Sequence, residues 1–95
     1  MVIGTCRVTL HIPESDSLKA KREVLRRLKD KVKNKFNVSI AEVDDGDLWQ
    51  RATLGIATVS KDSRFANQVI SNVVGLIESH RDVCLIDVET EFEVM

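Results

Sequence analysis

At 95 residues the chain is expected to form a single domain over residues 1–95, with room for one hydrophobic core. An apolar share of 43% excludes a disordered chain, and no apolar run approaches the ~20 residues that a bilayer-spanning helix needs. The formal net charge of −1 conceals a segregation: residues 19–35 carry nine basic side chains against Glu23 and Asp30, which leaves five basic against thirteen acidic residues elsewhere. Net charge alone points away from a nucleic-acid partner; its distribution reopens the question.

From the N-terminus, Val2, Gly4, Cys6, Val8, Leu10 and Ile12 alternate with Ile3, Thr5, Arg7, Thr9 and His11. A period of two predicts a strand with one buried face. Pro13 ends it, having no N–H for a ladder, and the opening residues lack a signal-peptide layout, so the compartment expected is the cytoplasm. Ser17 is placed to cap a helix that runs from Leu18 to about Phe36. Its stripe is Leu18, Leu25, Leu28, Val32 and Phe36, widened by Val24, and its other faces are almost wholly basic. Residues 37–44 read as the second strand, with Val38 and Ile40 on the core side, and Asp45-Gly46-Asp47 as a turn. The third strand, from about Arg51 to Ser60, is apolar on both faces and therefore central; Ile3, Ala57 and Val59 fall on the face away from the core.

Asp62 or Ser63 caps a second helix that ends near His80 and turns a broad apolar face inward: Phe65, Ala66, Val69, Ile70, Val73, Val74, Leu76 and Ile77. The last strand, Val83 to Val94, is expected to send Cys84, Ile86, Val88, Phe92 and Val94 one way and Asp87, Glu89, Glu91 and Glu93 the other. Cys6 and Cys84 lack Cys-x-x-Cys spacing and read as reduced core residues. The order is βαββαβ. Two right-handed crossovers sharing a hairpin give an α+β, ferredoxin-like domain: a four-stranded antiparallel sheet in order 4-1-3-2 with both helices on one face.

Several stretches resemble one family. They are Ser17-Leu18-Lys19-Ala20-Lys21-Arg22, Phe36-Asn37-Val38-Ser39-Ile40-Ala41-Glu42-Val43, Asp47-Leu48-Trp49-Gln50-Arg51-Ala52, Leu54-Gly55 and Asp87-Val88-Glu89-Thr90-Glu91. The chain resembles the YlxP-like family, small bacterial proteins of unknown function, over nearly its whole length. The resemblance implies a ferredoxin-like fold. It brings no activity and no catalytic residues. Members of the family are often encoded near translation and ribosome-maturation genes, an association that points toward RNA without a mechanism.

Two groups of residues are candidates for function. In the first, Lys19, Lys21, Arg22, Arg26, Lys29 and Lys33 would contact phosphates; the charge of this helix exceeds that of a solvated face, which normally interleaves glutamates. The second is Glu42, Trp49, Gln50 and Arg51. Here Arg51 would hold an anion, Trp49 would stack and Glu42 would act as a base. Against that stands a cross-strand Glu42–Arg51 ion pair that fixes register, beside a tryptophan that packs. His11, His80, Cys6 and Cys84 show no metal-ligand spacing, no phosphate loop or nucleophile elbow is present, and no cofactor is expected. The sheet also lacks the exposed aromatics of an RRM-type reader, and its acidic strand repels phosphate. The expectation is a non-enzymatic protein that binds structured RNA or a ribosomal particle through the first helix, with no membrane contact. The alternative is an interaction module that forms a homodimer through its open sheet face.

Overall fold

The computed structural model describes residues 1–95. Its elements are β1 (Val2–His11), α1 (Leu18–Lys35), β2 (Ser39–Asp44), β3 (Arg51–Ser60), α2 (Ser63–Glu78) and β4 (Cys84–Val94). The four strands are antiparallel in the order β2-β3-β1-β4, the ferredoxin-like order that the alternation and the two crossovers predict. β3 and β1 are the central strands, and β2 and β4 are the edges.

Both helices start where the sequence places a cap. Ser17 Oγ accepts from the Ala20 amide at 3.0 Å, and Asp62 Oδ1 from the Phe65 amide at 2.7 Å, each satisfying an otherwise orphaned donor. α1 packs against β2 and α2, and α2 packs against β1, β3 and β4. Between helices and sheet lie Val8, Leu10, Leu25, Leu28, Val32, Ile40, Leu54, Ile56, Ile70, Val73 and Ile77, all buried. Val69, expected among them, is only half-buried, and Phe65 is exposed, because α2 turns a narrower stripe to the sheet than its broad apolar pattern allows.

β4 departs from its expected alternation. It faces β1 in register from Val94 opposite Val2 to Asp87 opposite Thr9, and then slips so that Leu85 lies opposite Leu10 and Cys84 opposite His11. Ile86 is the extra residue of a bulge. One inserted residue exchanges the faces of everything beyond it, so Leu85 takes the inward position and Cys84 stands on the exposed side. Cys84 is therefore not a core cysteine, whereas Cys6 is buried. Burial pushes the Cys6 thiol above its ordinary value, only partly offset by the hydrogen bond with Thr90. Farther along β4, Phe92 and Val94 keep the helix-side face but remain exposed.

Candidate nucleic-acid interface

Helix geometry divides the basic residues of α1. At 100° per residue, Lys19, Arg22, Arg26, Lys29 and Lys33 fall within about a quarter of the circumference, in a row about 21 Å long. Arg27 and Lys31 lie on the other side and face α2. There Arg27 reaches Asp82 at 3.7 Å, and both line a cleft with Leu76, Ser79 and His80. The five-residue row thus occupies the flank of α1 that faces away from α2, on the β2 side of the molecule. All are exposed except Lys29, which is half-buried. Arg26 is held by Glu23 at 3.1 Å and Asp30 at 3.5 Å. These are surface pairs that a phosphate can replace at little cost, since such pairs contribute about 0–1 kcal/mol. Lys19, Arg22, Lys29 and Lys33 make no ion pair.

Lys21 does not belong to this row. It is 1% exposed, and Nζ donates to the carbonyl oxygens of Asp45 at 2.6 Å and Leu48 at 2.7 Å. It also meets Glu42 Oε2 at 2.9 Å. That contact is an ion pair outside hydrogen-bond geometry, so Glu42 Oε2 has no hydrogen-bond donor of its own. The reason is periodicity. Lys21 precedes Leu25, Leu28 and Val32 by one, two and three turns, and therefore points inward with them. An ammonium can be buried only where carbonyls and a counter-charge receive it, and the β2–β3 loop supplies both. Lys21 is withdrawn from the phosphate-contacting set.

The expected Glu42–Arg51 pair is likewise replaced. β2 is bulged between Glu42 and Asp44, and Glu42 pairs with Lys21. Arg51 Nε instead donates to Asp45 Oδ2 at 3.1 Å, and Thr53 Oγ1 to the same oxygen at 2.8 Å. The Thr53 hydrogen bond, with Arg51 beside it, holds the Asp45 carboxyl below its ordinary range. Asp45 itself sits at φ 64°, a left-handed conformation that aspartate tolerates better than bulkier residues. Gln50 ties the loop to the end of β1: its side chain donates to the carbonyls of Pro13 and Ser15 at 3.2 and 3.1 Å, and its own carbonyl accepts from the Ile12 amide at 2.9 Å. Lys21, Glu42, Asp45, Gln50 and Arg51 thus form a frame that fastens the loop to the start of α1. Trp49 stands out of that frame, 55% exposed. It does not cap the core edge.

The face without helices is a second surface. A groove of about 480 Å³ crosses it, lined among others by Arg7, Ala41, Val43, Gly55, Glu89 and Glu91. Val43 lies over β3, where a Cβ on Gly55 would come within 2.8 Å of Val43 Cγ1; glycine lets the two strands keep this close approach, and any larger residue would push Val43 aside. Arg7 is engaged by Asp44 at 3.0 Å. Asp87, Glu89, Glu91 and Glu93 stand opposite Thr9, Arg7, Thr5 and Ile3 of β1, so the acidic row borders this face. No group of three or more His, Cys, Asp or Glu side chains is placed to hold a metal ion, and no helix is long and apolar enough to cross a membrane.

Among proteins of known sequence, the family described as "Protein of unknown function (DUF503)" matches residues 3–90. The uncharacterized protein YlxP of Bacillus subtilis is 39% identical over 82 residues, covering 86% of this chain and 89% of that protein. Among solved structures, the de novo designed protein Foldit4 superposes with a TM-score of 0.55 at 12% identity, covering 100% of this chain and 99% of that one. A second design, LFR1 1 with ferredoxin fold, gives 0.52 at 16% identity over 100% and 88% of the two chains. These two likenesses concern the fold alone.

Proposed function

The chain belongs to the DUF503 family, whose function is unknown, and we propose from its own geometry that it is a non-catalytic accessory protein that binds structured RNA, such as a ribosomal particle, along the flank of α1. The observation that carries this reading is the row Lys19, Arg22, Arg26, Lys29 and Lys33, gathered on one flank and clear of α2. A sequence-independent row of cations suits a phosphate backbone, whose neutralisation releases counterions. The acidic remainder of the chain repels phosphate elsewhere and confines contact to that flank. Trp49, on the loop fastened to the start of the same helix, and Arg51, at the head of β3 beside that loop, are second-rank contributors. Trp49 offers a stacking surface for an unpaired base, while Arg51 must first leave Asp45.

The decisive experiment is binding to ribosomal RNA fragments across a salt series. Contact with about four phosphates gives a log–log slope near −3 on single-stranded segments, from roughly −0.7 per phosphate. Glutamine at Lys19, Arg22, Arg26 and Lys29 together should abolish most of that slope and change sequence preference little. Salt-insensitive binding by the wild type, or unchanged binding by the quadruple variant, removes the proposal. The homodimer reading is weaker because carboxylates border the open sheet face along β4; a doubled mass in light scattering would revive it.

A further inference from the structure

The two edge strands are protected unequally. β2 is six residues long and bulged, features that keep a second chain from pairing with it. β4 is eleven residues long. Beyond its bulge at Ile86, it runs in unbroken register with β1 from Asp87 to Val94. The side of β4 that faces away from β1 has no neighbouring strand, so alternate N–H and C=O groups there are unpaired. Its two faces differ sharply. On the open side stand Asp87, Glu89, Glu91 and Glu93. On the helix side stand Val88, Phe92 and Val94, of which Phe92 is 38% and Val94 76% exposed. Phe92 lies over Gly4, whose missing side chain leaves 3.2 Å between the ring and the site of a Cβ, so the ring is supported from beneath and open from the edge.

We propose that the β4 edge accepts an extended basic segment of a partner protein by strand addition, with lysines or arginines at alternate positions facing Asp87, Glu89, Glu91 and Glu93, and apolar residues between them covering Phe92 and Val94. Three features of the edge agree on this occupant. The unpaired backbone supplies the ladder, as in other strand-addition complexes. The carboxylates recur every second residue, about 6.7 Å apart, which is the same-face repeat of another extended chain and not of a helix. Opposite charges directly across a ladder stabilise it and like charges oppose it. The same acidic row therefore excludes a second copy of β4 while admitting a basic strand. RNA is repelled from this edge, so the proposal is independent of the flank of α1.

The test uses the acetylated and amidated peptide Lys-Val-Lys-Thr-Lys-Val-Lys with the intact protein, read by calorimetry and by amide hydrogen exchange. Binding with one peptide per chain, and new protection of amides between Val88 and Val94, is the expected result. Methylating the peptide nitrogens at alternate residues should abolish binding, because it removes the ladder and keeps the charge. Glutamine at Glu89, Glu91 and Glu93 should weaken it roughly tenfold, through loss of three cross-strand pairs. These positions are exposed, so the variant keeps its fold, which circular dichroism verifies. Equal binding of the methylated peptide would reduce the interaction to non-specific charge and overturn the proposal. Protection appearing elsewhere than β4, or pairing of two protein chains through β4 in the wild type, would overturn it as well.

Discussion

The flank of α1 and the outer edge of β4 carry charge rows of opposite sign on opposite sides of the molecule, and they stand on different foundations. The cations are borne by a helix whose inner stripe, Leu25, Leu28 and Val32, is fully buried. That helix exists whether or not its flank is charged. The carboxylates are borne by a strand with no residue buried, hydrogen-bonded on one edge to β1 and touched on one face by α2. There the charge guards an unpaired backbone. The same residue types in a row thus mean decoration on a packed helix and protection on an edge strand, and only the surrounding packing distinguishes them.

The harshest way to break the comparison is to remove what lies beneath the basic flank. Leu28 is wholly buried, so Leu28→Ala should cost about 2–5 kcal/mol, seen as a lower urea midpoint, with β4 lost along with α1 if the domain unfolds as one unit. Lys21→Met comes next. It strands two carbonyls and Glu42 and should cost about 3 kcal/mol, toward the low end for a broken buried pair, because Glu42 keeps some exposure. Its test is a urea titration with emission from Trp49, whose loop should be released before the core melts.

Charge removal then sharpens the contrast. Glutamine at Lys19, Arg22, Arg26 and Lys29 should change stability by no more than about 0.5 kcal/mol per position, with Lys29, half-buried, contributing most, and leave the protein dispersed. Glutamine at Glu89, Glu91 and Glu93 should also leave stability nearly unchanged but produce concentration-dependent association, since an unguarded edge pairs with its like. Light scattering over a dilution series separates the two outcomes. The smallest effect concerns His80, at the α2 end of the cleft beside Arg27 and Lys31. Burial first, then Lys31, lowers its proton affinity below that of a free histidine. The unfolded chain therefore binds this proton at a higher pH than the folded one, so stability should decline as pH falls through about 6.5 and below. His80→Gln should flatten that part of the profile.

Much of this architecture was legible in the residues, and the misplacements have physical causes. Periods of two and of three to four located every element, and the caps were readable as Ser17 for the first helix and as Asp62 or Ser63 for the second, of which Asp62 holds the position. Lys19, Arg22, Arg26, Lys29 and Lys33 could be placed together from helical spacing. Lys21 could have been separated from them by the same arithmetic, since it repeats with Leu25, Leu28 and Val32. Its chemistry argued for water, and its acceptors, the carbonyls of Asp45 and Leu48, are backbone atoms that carry no mark in a sequence. The bulges at Ile86 and beside Val43 were invisible for a related reason. An inserted residue leaves the alternation on either side intact and only shifts its phase, which misassigned Cys84. Glu42 lies opposite Leu54, before the bulge in β2, and so shares the helix-side face with Ile40, whereas Arg51 falls on the other face; alternation alone separates that pair.

The seclusion of Lys21 gives the molecule an internal clock. An amine-acylating reagent finds Lys19, Lys31, Lys33, Lys35 and Lys61 at the surface, but Lys21 is sealed beneath the loop. Surface amines should be tagged within the reagent's own reaction time. The tag on Lys21 can arrive only in the fraction of time that the loop is unfastened. The lag between those mass increments, read on digested peptides, reports how often the loop that carries Trp49 lets go while the sheet beneath it stays intact.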